Sequence, residues 1–361
     1  MKFSSFFKFT PAFGLDLSDL SVKAVAIKRV GNREVVTSYG AIGLPPGAII
    51  DGEIHQSEIV RNAIIDLLNR VGPKRITSKN VICSLPETKE FLRILTIPKM
   101  DPTEVGGAIK WEIEANIPLT LDQVYYDWQI LDDDFTPDAG KMSVLVIVVA
   151  RDVVDEFVEM LESCGLTPVG LETESVAQAR ALLSNKNKTE TTLIVDMGDR
   201  RTSFLVTLGH VPCFTSSVPL SSQMISDAVS KTLQIPFDEA DQMKIEQGLG
   251  SMTVKSPIFK AAEPILENIA SEIERTIDFF TSNLRYAESI DRVILCGGGS
   301  NLQGLLPYMT KRLNRAVENG DPWAATDLGG KLPIIPKEKS ISYSTAIGLA
   351  LKGIHVYENI S

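Results

Sequence analysis

The residues best placed to do chemistry are carboxylates set beside glycine-bearing turns. The run Leu193-Ile194-Val195-Asp196-Met197-Gly198-Asp199-Arg200-Arg201-Thr202-Ser203-Phe204-Leu205-Val206-Thr207 carries an apolar stretch into an aspartate, turns at a glycine and leaves on a β-rich run. That pattern predicts a strand, a tight turn and a returning strand. Backbone N–H groups exposed at such a turn can hold a phosphate while the carboxylate orients a hydrated Mg²⁺. By itself an Asp-X-Gly turn is more often only a plain hairpin.

A second copy of the pattern exists. Phe13-Gly14-Leu15-Asp16-Leu17-Ser18-Asp19-Leu20-Ser21-Val22-Lys23-Ala24-Val25-Ala26-Ile27 also gives Asp, apolar, small, Asp, a turn and a β-branched run. Asp196 lies 180 residues after Asp16, half of the 361-residue chain. Internal repetition on that scale predicts two related halves facing each other across a cleft, a two-lobed nucleotide-binding architecture. A third feature joins them. The strand Asp291–Cys296 empties into Gly297-Gly298-Gly299-Ser300-Asn301 and then a helix. Glycine lets the main chain lie against a flat base or a phosphate without a Cβ clash. A triple glycine alone can also be only a turn, and this one is neither a P-loop nor a dinucleotide fingerprint.

Composition removes other classes. A chain of 361 residues is long for one core, so two lobes with inserted pieces is the natural organisation. The net charge of −10 argues against a nucleic-acid groove or a general anionic-lipid surface. Cys83, Cys164, Cys213 and Cys296 have no paired spacing, and only His55, His210 and His355 occur. That predicts a reducing compartment, no zinc site and no histidine-based triad. No apolar run approaches membrane-spanning length, and the protein is expected to be cytoplasmic. The Phe-rich start (Phe3, Phe6, Phe7, Phe9, Phe13 with Lys2 and Lys8) reads as a first strand with a frayed tip, or as a surface for membrane or partner.

The elements that must position these residues are legible as periodic runs. Strands are expected at Gly14–Asp16, Val22–Arg29, Glu34–Leu44 and Lys79–Leu85, with a helix over Ser57–Val71 capped by Ser57 and buried through Ile59, Ala63, Leu67 and Leu68. A compact β-α-β-β-α unit follows: strand Lys89–Ile97, a helix from Asp101-Pro102 to Asn116, strands Val124–Leu131 and Ser143–Ala150, and helix Asp152–Cys164. The acidic run Asp132-Asp133-Asp134 inside it reads as a solvated turn, and Pro137–Gly140 as a break. Strand Thr167–Glu172 and helix Ser175–Ser184 return the chain to the first lobe, and Asn185–Lys188 forms a polar separator. The second half continues with strand Val211–Ser217, helix Ser221–Leu233, a helix from Phe237, a long helix Ala262–Ser282, helix Gly304–Leu313 and a closing helix Tyr343–Lys352.

Taken in order, these features resemble the actin-like ATPase superfamily. The expected fold class is α/β: a two-lobed actin-like ATPase fold with an inserted α+β (SHS2-like) subdomain in the first lobe. The resemblance divides the chain into a first lobe at 1–88 and 166–190 and an insert at 89–165, then a second lobe at 191–225 and 290–361 with a helical subdomain at 226–289. It implies ATP and Mg²⁺ as cofactors. Asp16, Ser18, Asp19 and Lys23 look like a first phosphate loop, and Asp196, Gly198, Asp199 and Thr202 like a second, with Asp16 and Asp196 oriented toward the metal. Glu174 sits where a water-orienting catalytic residue belongs. Asp241 and Lys244 resemble the acid–lysine pair that reaches the ribose and base, Gly297, Gly298, Gly299, Ser300 and Asn301 the adenosine loop, and Ala346-Ile347-Gly348 the connector helix.

The position of the insert is similar to FtsA and to the type IV pilus assembly protein PilM family. Gly47-x-x-x-Asp51-Gly52, Arg93-x-x-x-Ile97-Pro98, Glu114-x-x-Ile117-Pro118, the Asp127 strand and Ala240-Asp241-Gln242-Met243-Lys244 favour the PilM family. So does a C-terminus, Lys352–Ser361, without an amphipathic membrane-targeting helix. The resemblance implies a protein held on the inner face of the cell membrane by the N-terminal peptide of a PilN-like bitopic partner, beside pilus motor or platform proteins. Two departures stand out. Ser18 occupies a place where glycine is normal, which would strain the loop if positive φ were required. Asp19 and Asp199 add carboxylates near the phosphates, and without a cation they would repel a γ-phosphate. ATP binding is therefore expected, and brisk hydrolysis is not. The alternatives are an FtsA-like division filament, a sugar kinase of the same superfamily using Glu174 as base, and a nucleotide-free scaffold.

Overall fold

The computed structural model describes residues 11–132, 140–183, 190–250, 256–283, 289–324, 326, 328 and 334–355. The start of the Phe-rich segment, Asp133 and Asp134, Pro137–Ala139, the Asn185–Lys188 separator and the last residues of the C-terminal stretch lie outside them. The contacts divide the chain into unit 1 (Met1–Arg180, Thr326–Ile334, Thr345–Ser361) and unit 2 (Ala181–Ala325, Ile335–Ser344).

Unit 1 opens with the expected meander β1 (Phe13–Ser18), β2 (Ser21–Val30) and β3 (Arg33–Gly43). A small hairpin follows, β4 (Ile49–Ile50) and β5 (Glu53–Ile54), then α1 (Ser57–Arg70), β6 (Gly72–Pro73) and β7 (Asn80–Leu85). Next come β8 (Glu90–Pro98), α2 (Pro102–Asn116), β9 (Val124–Ile130), β10 (Lys141–Ala150) and α3 (Arg151–Ser163). Strand β11 (Thr167–Thr173) and α4 (Glu174–Leu182) complete the run. Six strands form one sheet in the order β11-β7-β1-β2-β3-β6, and three form another, β8-β10-β9.

The two sheets of unit 1 have separate cores. Phe13, Leu15, Leu17, Ile64, Leu67 and Phe157 are among the side chains packed beneath the larger one. Ile97, Val105, Ile109, Ile113, Val144 and Val146 fill the space between α2 and the smaller one. Alternation of apolar residues along β10 supplies one face and the Val105–Ile109–Ile113 stripe supplies the other, so the patterns themselves choose the partners. Asp101 caps α2 by accepting the Thr103 N–H at 2.9 Å, with Pro102 at the first position. Helix α1 differs from expectation in two details. Its N-cap is Gln56 rather than Ser57, and its buried stripe is Val60, Ala63, Ile64 and Leu67, leaving Ile59 exposed. Ala63 and Leu67 face the core as expected, while Val60 and Ile64 take the places expected of Ile59 and Leu68.

Unit 2 repeats the main sheet of unit 1. Its strands are β12 (Thr191–Met197), β13 (Thr202–Leu208), β14 (Val211–Val218), β15 (Arg292–Cys296) and β16 (Val317–Asn319), ordered β14-β13-β12-β15-β16. An antiparallel meander continues into two parallel strands, as β3-β2-β1-β7-β11 does in unit 1. The registers agree as well. Asp16 faces Lys23 and Asp196 faces Ser203, so the offset of 180 holds across both hairpins. Helices α5 (Ser222–Leu233), α6 (Phe237–Gln247) and α7 (Pro257–Asn283) pack on one another through Val229, Ala240, Ile258 and Ala261. Helix α8 (Leu305–Leu313) and the short α9 (Lys337–Ser340) follow.

The closing helix α10 (Ser344–His355) groups with unit 1, not with the 290–361 lobe expected from the sequence. Leu349 packs with Ala12, Ile82 and Ala177. Glu172 on β11 accepts from both Lys352 Nζ and Arg180 Nη2, at 2.8 and 2.7 Å. Burial alone would push the Glu172 carboxyl up, but the Arg180 and Lys352 charges outweigh it and hold it below the usual range.

Candidate functional site

In unit 1 the β1–β2 hairpin brings Asp16, Ser18, Asp19 and Lys23 together, but gives each a defined task. Lys23 Nζ donates to Asp16 Oδ2 at 3.1 Å across the register pair, and Asp16 is only 4% exposed. Ser84 on the parallel neighbour β7 accepts the Leu17 N–H at 2.9 Å and approaches Asp16 Oδ1 at 3.5 Å. A serine inside the apolar run Val81-Ile82-Cys83-Ser84-Leu85 was the available signal for that contact. Ser18 closes the turn, its hydroxyl donating to the Ser21 carbonyl at 3.0 Å. It is not among the positive-φ residues, so serine in the glycine position carries no backbone strain. Asp19 does not face outward from the loop tip. Its two oxygens accept the Asp51 and Gly52 backbone N–H groups, each at 3.1 Å.

Glu174 is the first residue of α4, and Ser175 beside it donates to Glu90 Oε1 at 3.2 Å. Burial, and then the charge of Glu174, push the Glu90 carboxyl well above the ordinary range despite the Ser175 hydrogen bond. Cys83 nearby is pushed far up by burial and by Asp16, which makes it a poor nucleophile.

In unit 2 the Asp196 turn, the glycine loop and the start of α5 converge. Gly198 N–H bonds the Arg201 carbonyl at 2.9 Å, and a Cβ on Gly198 would sit 2.9 Å from that same oxygen. Close approach, not positive φ, is what this glycine supplies. The Gly198 and Asp199 carbonyls accept the Ser222 and Gln223 N–H groups at 3.0 and 3.3 Å, and Ser221 Oγ accepts from Met224 N at 3.3 Å. The first donors of α5 are thereby used inside the protein, leaving less of the open anion site a helix start can offer.

Gly297 has φ +79° and ψ 170°, and a Cβ there would lie 2.0 Å from Asp196 Oδ1. A Cβ on Gly299 would lie 2.8 Å from the Met197 carbonyl and 3.1 Å from Ser222 Cβ. These two glycines therefore seat the loop on the Asp196 turn. Gly298 is different: it is exposed, and a Cβ there would meet nothing described within 4 Å. Asn301 is exposed beside it, while the buried Ser300 donates to the Gly297 carbonyl at 2.7 Å. The loop turns only Gly298 and Asn301 fully outward.

Two further candidate residues bond inward. Thr202 is fully buried and donates to the Leu220 carbonyl at 2.7 Å, so its hydroxyl does not reach the turn surface. Lys244 is 8% exposed, and its three donors meet Ser222 O at 3.3 Å, Ser222 Oγ at 3.1 Å and Asp241 Oδ1 at 2.8 Å. It joins α6 to α5 rather than reaching out to a base. Asp241 also accepts from Ser226 Oγ at 2.6 Å. Partial burial raises its carboxyl, but Lys244 and Ser226 outweigh that and keep it ionised below the ordinary range. The Asp196 turn and the glycine loop together form a rim in unit 2 that exposes Asp199, Arg200, Gly298 and Asn301, with Asp196, Gly198, Arg201 and Gly297 half-exposed. Such a rim can receive an anion accompanied by a hydrated cation.

Comparison with known proteins decides the family. Residues 14–354 match the family described as "Type IV pilus assembly protein PilM". The chain belongs to the type IV pilus assembly protein PilM family. Among solved structures, the PilM-PilN type IV pilus biogenesis complex is similar with a TM-score of 0.79 and 25% identity, covering 96% of this chain and 99% of that one. MreB5 of Spiroplasma citri bound to AMPPNP has a TM-score of 0.58 at 13% identity, covering 98% and 99%, a likeness of fold. The cell division protein FtsA of Neisseria meningitidis serogroup B is 24% identical over 225 residues, 57% of this chain and 53% of that protein. The chain spans about half the length of the first curated FtsA relatives it matches. The fold is that of the actin-like ATPases. Among the described residues no helix is long and apolar enough to cross a membrane.

Proposed function

We propose that this PilM-family chain is a nucleotide-binding assembly protein that holds ATP with Mg²⁺ and grips the N-terminal peptide of a PilN-like membrane protein. The likeness to the PilM-PilN complex over nearly the whole of both chains carries this reading. Attachment to the inner face of the cell membrane would come through that partner. For the nucleotide, support lies in the unit 2 rim. Mg²⁺ keeps several waters and takes one or two carboxylates plus phosphate oxygens, and half-exposed Asp196 suits that better than enclosed Asp16. Gly298 and Asn301 offer the bare backbone and side chain against which a base or phosphate can rest.

Binding is favoured over rapid turnover. The Lys23 ammonium is already neutralised by Asp16 at 3.1 Å, and the α5 donors are already bonded. Glu174 remains the candidate water-orienting residue. The test is a melting shift with Mg-ATP in the wild type and in Asp196→Ala, with calorimetric titration of the partner's N-terminal peptide. An extended peptide buries modest area and depends on a few apolar anchors, so micromolar binding is expected. Equal shifts in both proteins would remove Asp196 as a ligand, and absence of peptide binding with and without Mg-ATP would remove the partner. The FtsA relatives favour one second reading, a nucleotide-dependent filament. Sedimentation with Mg-ATP and lipid vesicles tests it: a protein that stays in the supernatant excludes it.

A further inference from the structure

Asp19 is the residue whose geometry departs furthest from a phosphate-loop role. Its carboxylate grips two successive backbone amides, Asp51 and Gly52, at the tip of the β4–β5 hairpin. Both tip residues have positive φ, +50° and +82°, the arrangement of a type I′ turn, which leaves those two N–H groups pointing away from the hairpin. A carboxylate accepting a pair of N–H groups is a charge-assisted contact, stronger than a neutral one.

The hairpin is bound in turn to the chain entering the three-stranded sheet. The Asp51 carbonyl accepts from Thr88 Oγ1 at 3.0 Å, and Glu53 on β5 pairs with Lys89. Gly52 packs so closely on Pro86 that a Cβ would lie 2.4 Å from the proline ring. The next residue, Glu90, begins β8, which pairs with β10 from Glu90–Val149 to Lys141–Pro98. Glu90 itself accepts from Ser175, the neighbour of Glu174. Thus the β1–β2 turn, through Asp19, and the start of α4, through Ser175, both reach the three residues Thr88-Lys89-Glu90.

We infer that Thr88–Glu90 is a coupling segment through which occupancy beside the β1–β2 turn changes the hold on the β8-β10-β9 sheet. This rests on the Mg-ATP binding proposed above, with the β1–β2 turn taken as the first phosphate loop that it resembles. An anion and its cation beside Ser18 shift the turn, and Asp19 moves with it. The Asp51–Gly52 tip is rigid in its turn conformation and wedged against Pro86, so it transmits displacement instead of absorbing it. Two polar ties, Thr88 to Asp51 and Lys89 to Glu53, pass the change to the foot of β8. Linkage is reciprocal, so a ligand seated on that sheet alters nucleotide affinity by the same factor.

The test is hydrogen exchange of the full chain with and without saturating Mg-ATP, read at residues 90–98, with the melting shift recorded in parallel. In the wild type, Mg-ATP is expected to slow exchange there by about fivefold or more, the low end of ordinary coupling. The Thr88→Val/Lys89→Met variant keeps both side-chain volumes and is outside the nucleotide residues. It is expected to retain the Mg-ATP melting shift but lose most of the slowing in β8. Asp19→Asn, which leaves one acceptor oxygen for two amides, is expected to lose the slowing as well. Equal slowing in wild type and double variant, or none in a wild type that shows the melting shift, overturns the coupling alone. No melting shift in the wild type overturns the nucleotide reading and the coupling together.

Discussion

The triple glycine offers the sharpest separation between residues the fold needs and residues a ligand needs. Alanine at Gly297 must adopt φ +79°, ψ 170°, a region essentially limited to glycine, at a cost of about 1–3 kcal/mol. Its Cβ would also stand 2.0 Å from Asp196 Oδ1 and 2.7 Å from the Met197 carbonyl. Forcing a methyl into such a contact costs a further ~1–3 kcal/mol, so Gly297→Ala is expected to lose about 3 kcal/mol in total. For a unit of this size that is a fall of roughly 6–12 °C in Tm. Gly298→Ala places its methyl in open space and is expected to stay within about 0.5 kcal/mol of wild type. ATP affinity should move the other way. If a base or phosphate rests on Gly298, the added methyl weakens Mg-ATP binding by roughly tenfold, about 1.4 kcal/mol. Denaturant titration measures the first effect and calorimetry with Mg-ATP the second. A double variant, Gly297→Ala with Asp196→Ala, removes the closest clash and should recover roughly 1 kcal/mol of the loss. Equal stability for the two single variants, or wild-type ATP affinity in Gly298→Ala, would refute the division of labour.

Three other outcomes follow from buried charges. Glu172, below its ordinary range because of Arg180 and Lys352, contributes stability that is complete above the unfolded glutamate pKa and lost as pH falls through the lower folded value. Glu172→Gln should therefore cost about 2–4 kcal/mol near pH 7 and far less once pH has fallen below the lowered folded pKa, checked by denaturant titration across that range. Glu90 has the opposite sign: its raised pKa means the folded state keeps a proton that the unfolded state has released, so stability falls as pH rises above ~4.5. Glu90→Gln should be more stabilising at pH 8 than at pH 5, and equal effects at both would refute the assignment. Lys244→Met leaves Ser222 and Asp241 without their cation and should cost about 1–3 kcal/mol by thermal melting without abolishing Mg-ATP binding, since the ammonium faces inward.

Much of the architecture follows from the sequence because it depends on period and punctuation. The Asp16 and Asp196 hairpins are legible from their 180-residue offset, and the structure returns the same register in both. The Val105–Ile109–Ile113 stripe and the Asp101-Pro102 cap define α2 without reference to anything distant. Strand β16, the strands flanking the Asp51-Gly52 turn and α9 leave no period in the sequence because they are two to four residues long.

What the sequence determined, then, is which side chains stand near the turns; what it could not determine is where their polar atoms point. Asp19 and Asp199 occupy corresponding places in the two hairpins, yet Asp19 holds the Asp51–Gly52 amides while Asp199 stays exposed. Thr202 and Lys244 sit at positions suited to a ligand and bond inward to Leu220 and Ser222. A hydrogen bond is settled within a few tenths of an ångström by residues far off in the chain, and a buried donor takes the nearest acceptor that folding brings to it. Spacing along one strand carries no record of that partner. Only the tertiary structure decides which of the candidate groups remains free to meet a ligand.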